Sequence, residues 1–359
     1  MTQPLPDDAN NFSVAVAREI ERSLLRAQNG IKHVTGIGRA RVGLTPKTTV
    51  WSRDKAQLWR YHSDRASLRP PVLLVFSLIS RSYVLDLRPG FSLIEYLLER
   101  GFDVYLVDWG VPDAADAGNT LETYVDDYLP RVVDTVCRVS EADEVTLFGY
   151  CLGATLSAML IAAHADLPIR NLVGVAAPID LQRTMGVTNL FDPSRFRADD
   201  MVDDTGNVPA DLVHKAFQML KPTGQAVAYA NLWQNLWNDE WVQGYQAMAQ
   251  WTRDHVPFPG ACLRQLQSAA LENALVTDRL YLGGRKVTLS NITCPILNVI
   301  AERDHIVPVE AAEPLTRLAG SKDTEELRLP MGHMTLITGR QAFKTTIPAV
   351  ADWIKEHST

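Results

Sequence analysis

The stretch that most restricts how this chain can fold is Phe148-Gly149-Tyr150-Cys151-Leu152-Gly153-Ala154, which follows the apolar run Val145-Thr146-Leu147. A β-branched run ends in Gly, a reactive side chain follows after a spacer, and a second Gly opens an apolar helix-like run. That is a G-x-nucleophile-x-G elbow with Cys where most such elbows carry Ser. A strand must become a helix within about one turn, with the nucleophile in a strained conformation, and a Cβ on either flank would clash. The sulfur is left at the strand's C-terminal end, facing a helix N-terminus whose free N–H groups and dipole favour a thiolate.

The segments on either side repeat the strand-then-helix rhythm. Val72–Phe76, Asp103–Trp109, Val145–Leu147, Asn171–Ala176, Pro295–Ala301 and Glu325–Pro330 read as strands, several apolar throughout, as expected of strands buried on both faces. Phe91–Arg100, Leu121–Val139 (with Pro130 as a kink or break), Val309–Leu318 and Gln341–Lys355 read as helices. Thr48–Trp51 and Ala56–Tyr61 form a hairpin across the polar 52–55 turn, and Leu280–Leu289 a second one around Gly283-Gly284. Near the N-terminus, Phe12, Val16, Ile20 and Leu24 recur every four residues. They predict an amphipathic helix from Asn11 to about Gln28, stopped by Asn29-Gly30, with its stripe packed on the body of the protein by default. Gly36-Ile37-Gly38 is no dinucleotide fingerprint, because a third Gly is missing at the required spacing.

Residues 181–285 break the rhythm. They carry Trp233, Trp237, Trp241 and Trp251 in helical patterns interrupted by Pro209, Pro222, Pro257 and Pro259. The expected organisation is an N-terminal helix and linker over 1–45, a first core part over 46–180, a mainly helical cap over 181–285, and a second core part over 286–359. The fold class is α/β, a mostly parallel central sheet with helices on both faces. Ligands in such sheets sit at the strands' C-terminal ends, so the tips to inspect are 77–81, 109–113, 150–152 and 177–180.

A nucleophile after one strand, an acid after a later strand and a His in a loop near the C-terminus give the chain order of the α/β-hydrolase architecture. Cys151, Asp304 and His333 fit it. His333 takes the thiol proton or holds it as an ion pair, and Asp304 fixes the His tautomer. The oxyanion formed on thioester attack needs two backbone N–H donors. Leu152 supplies one, and Ile79, in the loop after Val72–Phe76, is the choice for the other. Each residue also has a plainer reading: a lone Cys is usually a small buried hydrophobe, and Asp304 could merely cap the helix that follows. His305 is a rival base or a supporting residue. His164, His214 and His255 read as structural or exposed, the tryptophans as cap core, and Cys137, Cys262 and Cys294 as inert.

The formal charge of −7 argues against nucleic acid. Four scattered cysteines make no C-x-x-C pair and no metal-ligand spacing, so no metal is expected. With a polar, acidic N-terminus unlike a secretory signal, they suggest a reducing cytoplasm. Val145–Ala163 is uncharged and long enough to span a membrane on paper, but it reads as strand, turn and helix rather than a span.

With these residues assembled, the chain resembles the catalytic subunit of polyhydroxyalkanoate synthases, notably the short two-subunit class (class III-like). The resemblance runs from about Gly43 to the end. It rests on Tyr83–Leu87, Asp103–Gly110, the Gly149–Gly153 box, Trp237-Asn238-Asp239, and Ile292–Asn298 through Asp304-His305. It implies transfer of an (R)-3-hydroxyacyl group from coenzyme A to Cys151, then attack by the 3-hydroxyl of a bound unit to extend a polyester. It implies no cofactor beyond that thioester substrate, an acid (here Asp304) that also helps deprotonate the hydroxyl, and location in the cytoplasm at the surface of polyester granules. The short N-terminal segment matches classes that use an accessory subunit, and a homodimer is a further reading. Two departures stand out: Ala154 where many members have Gly, and Ser80 where many long-class members have Asn. The alternatives are a Cys-dependent hydrolase or acyl-CoA thioesterase, and a non-catalytic granule-binding paralogue.

Overall fold

The computed structural model describes residues 7–35, 40–184, 197–220 and 224–358. Gly36-Ile37-Gly38 and Pro222 lie outside the described residues, as does the side chain of Phe12. Eight strands build the main sheet: β1 (Lys47–Arg53), β2 (Ala56–Tyr61), β3 (Leu68–Val75), β4 (Phe102–Asp108), β5 (Val145–Tyr150), β6 (Ile169–Val175), β7 (Ile296–Ala301) and β8 (Thr324–Leu329). Their order is β1-β2-β4-β3-β5-β6-β7-β8. β1 and β2 pair antiparallel, as do β2 and β4, and all other neighbours are parallel. The β1–β2 hairpin turns at Asp54, where φ is 50°.

The alternation within β3 shows why its apolar run is continuous. Leu73 and Val75 join one core cluster, and Val72 and Leu74 the other, on opposite faces of the sheet. The first face is covered by α3 (Leu129–Ser140) and α4 (Leu152–Ala163), and the second by α2 (Leu93–Glu99) and the C-terminal helix Thr346–Glu356. The Ser92 side chain caps α2, accepting from the Glu95 N–H. Buried Asp86 ties the chain ahead of it, accepting from Thr45 and Ser92.

Four helical expectations change. Helix α1 (Asp7–Thr35) runs through Asn29-Gly30, because Asn29 is buried and its amide donates to Leu236 O at 2.6 Å, a tertiary tie that outweighs two poor helix formers. The apolar stripe does not pack on the body. Val16, Ile20 and Leu24 are 41%, 58% and 62% exposed, while Arg22, over the Trp237 ring, and Asn29 make the inward contacts. Leu121–Val139 is also not one helix: Thr123–Tyr128 is a π-helical turn that gives way to α3, with Pro130 in its first turn, where a missing N–H costs nothing. Likewise Val309–Leu318 splits at Pro314, and the last helix begins at Thr346 after a short turn at 339–342.

Between β6 and β7 the described residues add no strand to the main sheet. They form α5 (Ala210–Leu220), α6 (Gly224–Asn235), α7 (Asp239–Trp251) and α8 (Gly260–Leu271), with a small strand pair, Asn207–Val208 against Phe258–Pro259. A second small pair joins Tyr281–Leu282 to Arg285–Lys286. Asn238 caps α7 by accepting from the Trp241 N–H. Of the tryptophans read as core, Trp251 is buried, whereas Trp233 is 70% exposed. Among the described residues, no helix is long and apolar enough to cross a membrane.

Candidate active site

β5 ends at the elbow. The Cys151 N–H still donates to Val175 O of β6 at 2.9 Å, and the backbone then turns sharply, with φ 53° and ψ −129° at Cys151, before α4 begins. A non-glycine residue in this region stores strain that the surroundings must hold in place. The flanking glycines are required by close approach. A Cβ on Gly149 would lie 2.3 Å from the Ala154 Cα, and one on Gly153 would lie 2.1 Å from Val75 O of β3. The helix therefore sits directly against two strands, with the sulfur above their ends.

His333 follows β8, and Asp304 follows β7. Asp304 Oδ2 lies 2.7 Å from His333 Nδ1, while Oδ1 accepts from the N–H groups of Ile306 (2.7 Å) and Val307 (2.9 Å). Asp304 does not cap the helix that follows, which begins at Val309 after Pro308; one of its oxygens closes the turn before that helix and the other meets His333. The carboxylate side chain is fully enclosed. Burial opposes charge on His333, but Cys151 and Asp304 outweigh it and push the imidazole up to about 10. The other thiols differ. Burial pushes Cys294 up to about 12 and raises Cys137 and Cys262 as well, which leaves them poor nucleophiles.

Two cavities meet at Cys151. One, of about 140 Å³, is walled by Leu152, Pro178, Val213, Phe258, Leu263 and similar side chains. The other, of about 320 Å³, is walled by Ser77, Ser80, His214, His255, His333 and Trp251 among others. Ile79, Phe217 and Ile306 border both. Ile79 and Leu152 both line the apolar cavity together with Cys151. His305 is exposed and lines neither cavity.

The loop carrying Ile79 is pinned from three sides. Trp109 Nε1 donates to Phe76 O at 2.9 Å, and Trp251 Nε1 donates to Arg81 O at 2.7 Å. Ser80 forms an isolated antiparallel bridge with His255. Asp108 adds a bond from Ser82 Oγ and takes the Gly110 N–H, which gives the Asp-Trp-Gly strand end a local purpose. Tyr150 stacks on Phe76, with centroids 5.6 Å apart, and its hydroxyl donates to His333 O at 3.2 Å. Burial, then the charges of Cys151 and Asp304, hold that phenol protonated.

Tyr150, Trp251, His214 and His255 escape sequence reading as site residues. His214 and His255, expected to be structural or exposed, line the polar cavity instead, because the inserted segment folds back over the strand ends. His164 is structural: it is buried, and its Nε2 lies 2.7 Å from Asp126 Oδ1. Among the described residues no cluster could hold a metal ion.

A sequence profile of the α/β hydrolase fold matches residues 70–340. The chain is 35% identical over 336 residues to the poly(3-hydroxyalkanoate) polymerase subunit PhaC of Allochromatium vinosum, covering 91% of this chain and 93% of that one. The PhaC subunit of Haloferax mediterranei is longer: 35% identity covers 90% of this chain but 66% of that relative. Among solved structures, a soluble variant of monoglyceride lipase from Saccharomyces cerevisiae superposes with a TM-score of 0.55, covering 89% of this chain and 97% of that one. At 14% identity, that likeness concerns the fold alone.

Proposed function

The chain belongs to the PhaC family of poly(3-hydroxyalkanoate) polymerases, on an α/β-hydrolase fold, and from that premise we propose that Cys151, His333 and Asp304 carry its acyl transfer. The observation that carries the reading is the strained Cys151 at the tip of β5, coupled to a His333 whose other nitrogen is held by Asp304 at 2.7 Å.

The Cys151 thiolate attacks the thioester carbonyl of an (R)-3-hydroxyacyl-CoA. The oxyanion is met by the backbone N–H groups of Leu152 and Ile79. The C–S bond to coenzyme A breaks, and the leaving thiolate takes the proton from His333. The 3-hydroxyl of a second hydroxyacyl unit then attacks the acyl-Cys151, its proton passes to His333, and the Cys151 thiolate is released. The chain grows by one ester. Asp304 acts through His333 rather than on the hydroxyl, since its side chain is enclosed and both oxygens are engaged. No cofactor enters this sequence, because the thioester supplies the activated acyl group.

The apolar cavity suits the hydrocarbon part of the chain, because burying it there gains about 25 cal/mol per Å² and leaves no polar group unmet. The outward stripe of α1 supports the accessory-subunit reading; a homodimer is the other use of the same face. An insoluble product supports the reading of residence in the cytoplasm at the surface of polyester granules.

The test is incubation with 3-hydroxybutyryl-CoA, alone and with a candidate accessory subunit, measuring free coenzyme A and polymer. Release with polymer is expected, and release with only the free hydroxy acid would make the protein a thioesterase. Cys151→Ser should lose at least ~10³-fold in coenzyme A release; near-normal turnover would remove Cys151 from the mechanism.

A further inference from the structure

Native proteins leave few buried polar atoms without a hydrogen-bond partner, and each exception calls for an explanation. Three such atoms belong to residues lining the one polar cavity at Cys151: Ser77 Oγ, His214 Nδ1 and His255 Nδ1. The clustering of unmet polar groups beside a reactive sulfur points to a ligand that brings polar atoms of its own.

His255 is the best placed of the three. Its backbone pairs with Ser80, the residue after Ile79, so its ring is anchored one residue from the proposed oxyanion donor. His214 backs it, with rings 5.4 Å apart, and His214 is itself fixed by Gln218 at 2.8 Å. Burial, and then His214, lower the His255 imidazole to about 4, so it is neutral at physiological pH. The Thr252 backbone favours the ring N–H on its side, so the neutral imidazole keeps its other nitrogen as an acceptor for a hydroxyl. The apolar cavity offers no comparable partner, with walls almost wholly of aliphatic and aromatic carbon. A short 3-hydroxyacyl group on Cys151 has one polar atom left once its carbonyl oxygen is held, and that atom is the 3-hydroxyl.

We propose that His255 is a specificity-determining residue that hydrogen-bonds the 3-hydroxyl of the acyl group at Cys151 and so selects 3-hydroxyacyl over plain acyl thioesters. This rests on the acyl-Cys151 reading above. A site built to pair a substrate hydroxyl rejects the analogue that lacks it, because its own polar groups then go unmet.

The test compares first-turnover coenzyme A release from 3-hydroxybutyryl-CoA and butyryl-CoA, the second of which can acylate but not elongate. The wild-type protein should prefer the hydroxyacyl substrate. In His255→Leu that preference should shrink by about 10- to 100-fold through a loss on the hydroxyacyl substrate alone. His255→Asn should keep part of it, and Ser77→Ala most of it. Equal losses on both substrates in His255→Leu would make the residue merely structural and overturn the proposal. So would a collapse of the preference in Ser77→Ala instead. Absence of release by the wild-type protein, or release persisting in Cys151→Ala, would overturn the acyl-enzyme reading and this inference with it.

Discussion

The two cavities at Cys151 differ in what their walls can offer a ligand. One is lined by carbon, from strand-end loops and from α5 and α8. The other adds imidazoles and hydroxyls to apolar side chains such as Phe76 and Met334, with Trp251 and His255 supplied by the end of α7 and the loop after it. A polymerising enzyme must hold a greasy chain and also handle a hydroxyl whose oxygen forms the next bond. Burying both in one uniform pocket would leave either hydrocarbon in a polar setting or a hydroxyl unpaired, at roughly 1–3 kcal/mol for the latter. Splitting the space around a single sulfur avoids both costs.

The division can be broken at its shared point or sharpened on one side. Asp304→Asn strikes the shared point and should have the largest effect of these, a fall of about 10³–10⁴-fold in coenzyme A release from loss of the oriented His333. The same variant carries a pH signature. His333 rises to about 10 in the folded protein, above the ~6.5 of an unperturbed imidazole. Its stabilising contribution is therefore complete below pH ~6.5 and is lost as pH rises through about 10. Denaturant unfolding at pH 6, 8 and 10 should show that decline in the wild-type protein and a weaker one in Asp304→Asn.

Val213→Trp fills only the apolar side. Polymer yield should drop about 10-fold, while first-turnover release changes less than about 3-fold. Equal drops in both would mean that the first acyl group also occupies that cavity. The smallest effect belongs to Tyr150→Phe, which removes the hydroxyl bonded to His333 O. It should cost about 1 kcal/mol of stability and only a few-fold in rate, since the ring stack on Phe76 survives.

The elbow was legible in the sequence because its constraint is local. Gly149 and Gly153 are small for reasons that lie within a few residues of them or in the next strand. That Asp304 and His333 meet beside Cys151 was legible by chain order, since the parallel sheet brings strand ends together whatever the loop lengths. His255 was not, because nothing near it in the chain hints at its pairing with Ser80, 175 positions earlier. The stripe on α1 teaches the same limit from the other side. Periodicity reveals that a helix has two faces, but the face turned inward is decided by Trp237 and Leu236, far along the chain. The stop at Asn29-Gly30 failed for the same reason: a local signal met a distant partner.

The Ser80–His255 bridge has one more consequence. Together with the Trp251 bond to Arg81, it fastens the inserted segment to the two residues that follow Ile79. That segment cannot lift from the strand ends without releasing the loop that presents the Ile79 N–H. Access and competence are therefore interlocked. On the proposed mechanism, a site opened to bulk water is also one whose charge-stabilising donor has lost its brace, and the contact that readies an acylated sulfur for the next alcohol also shields it from hydrolysis.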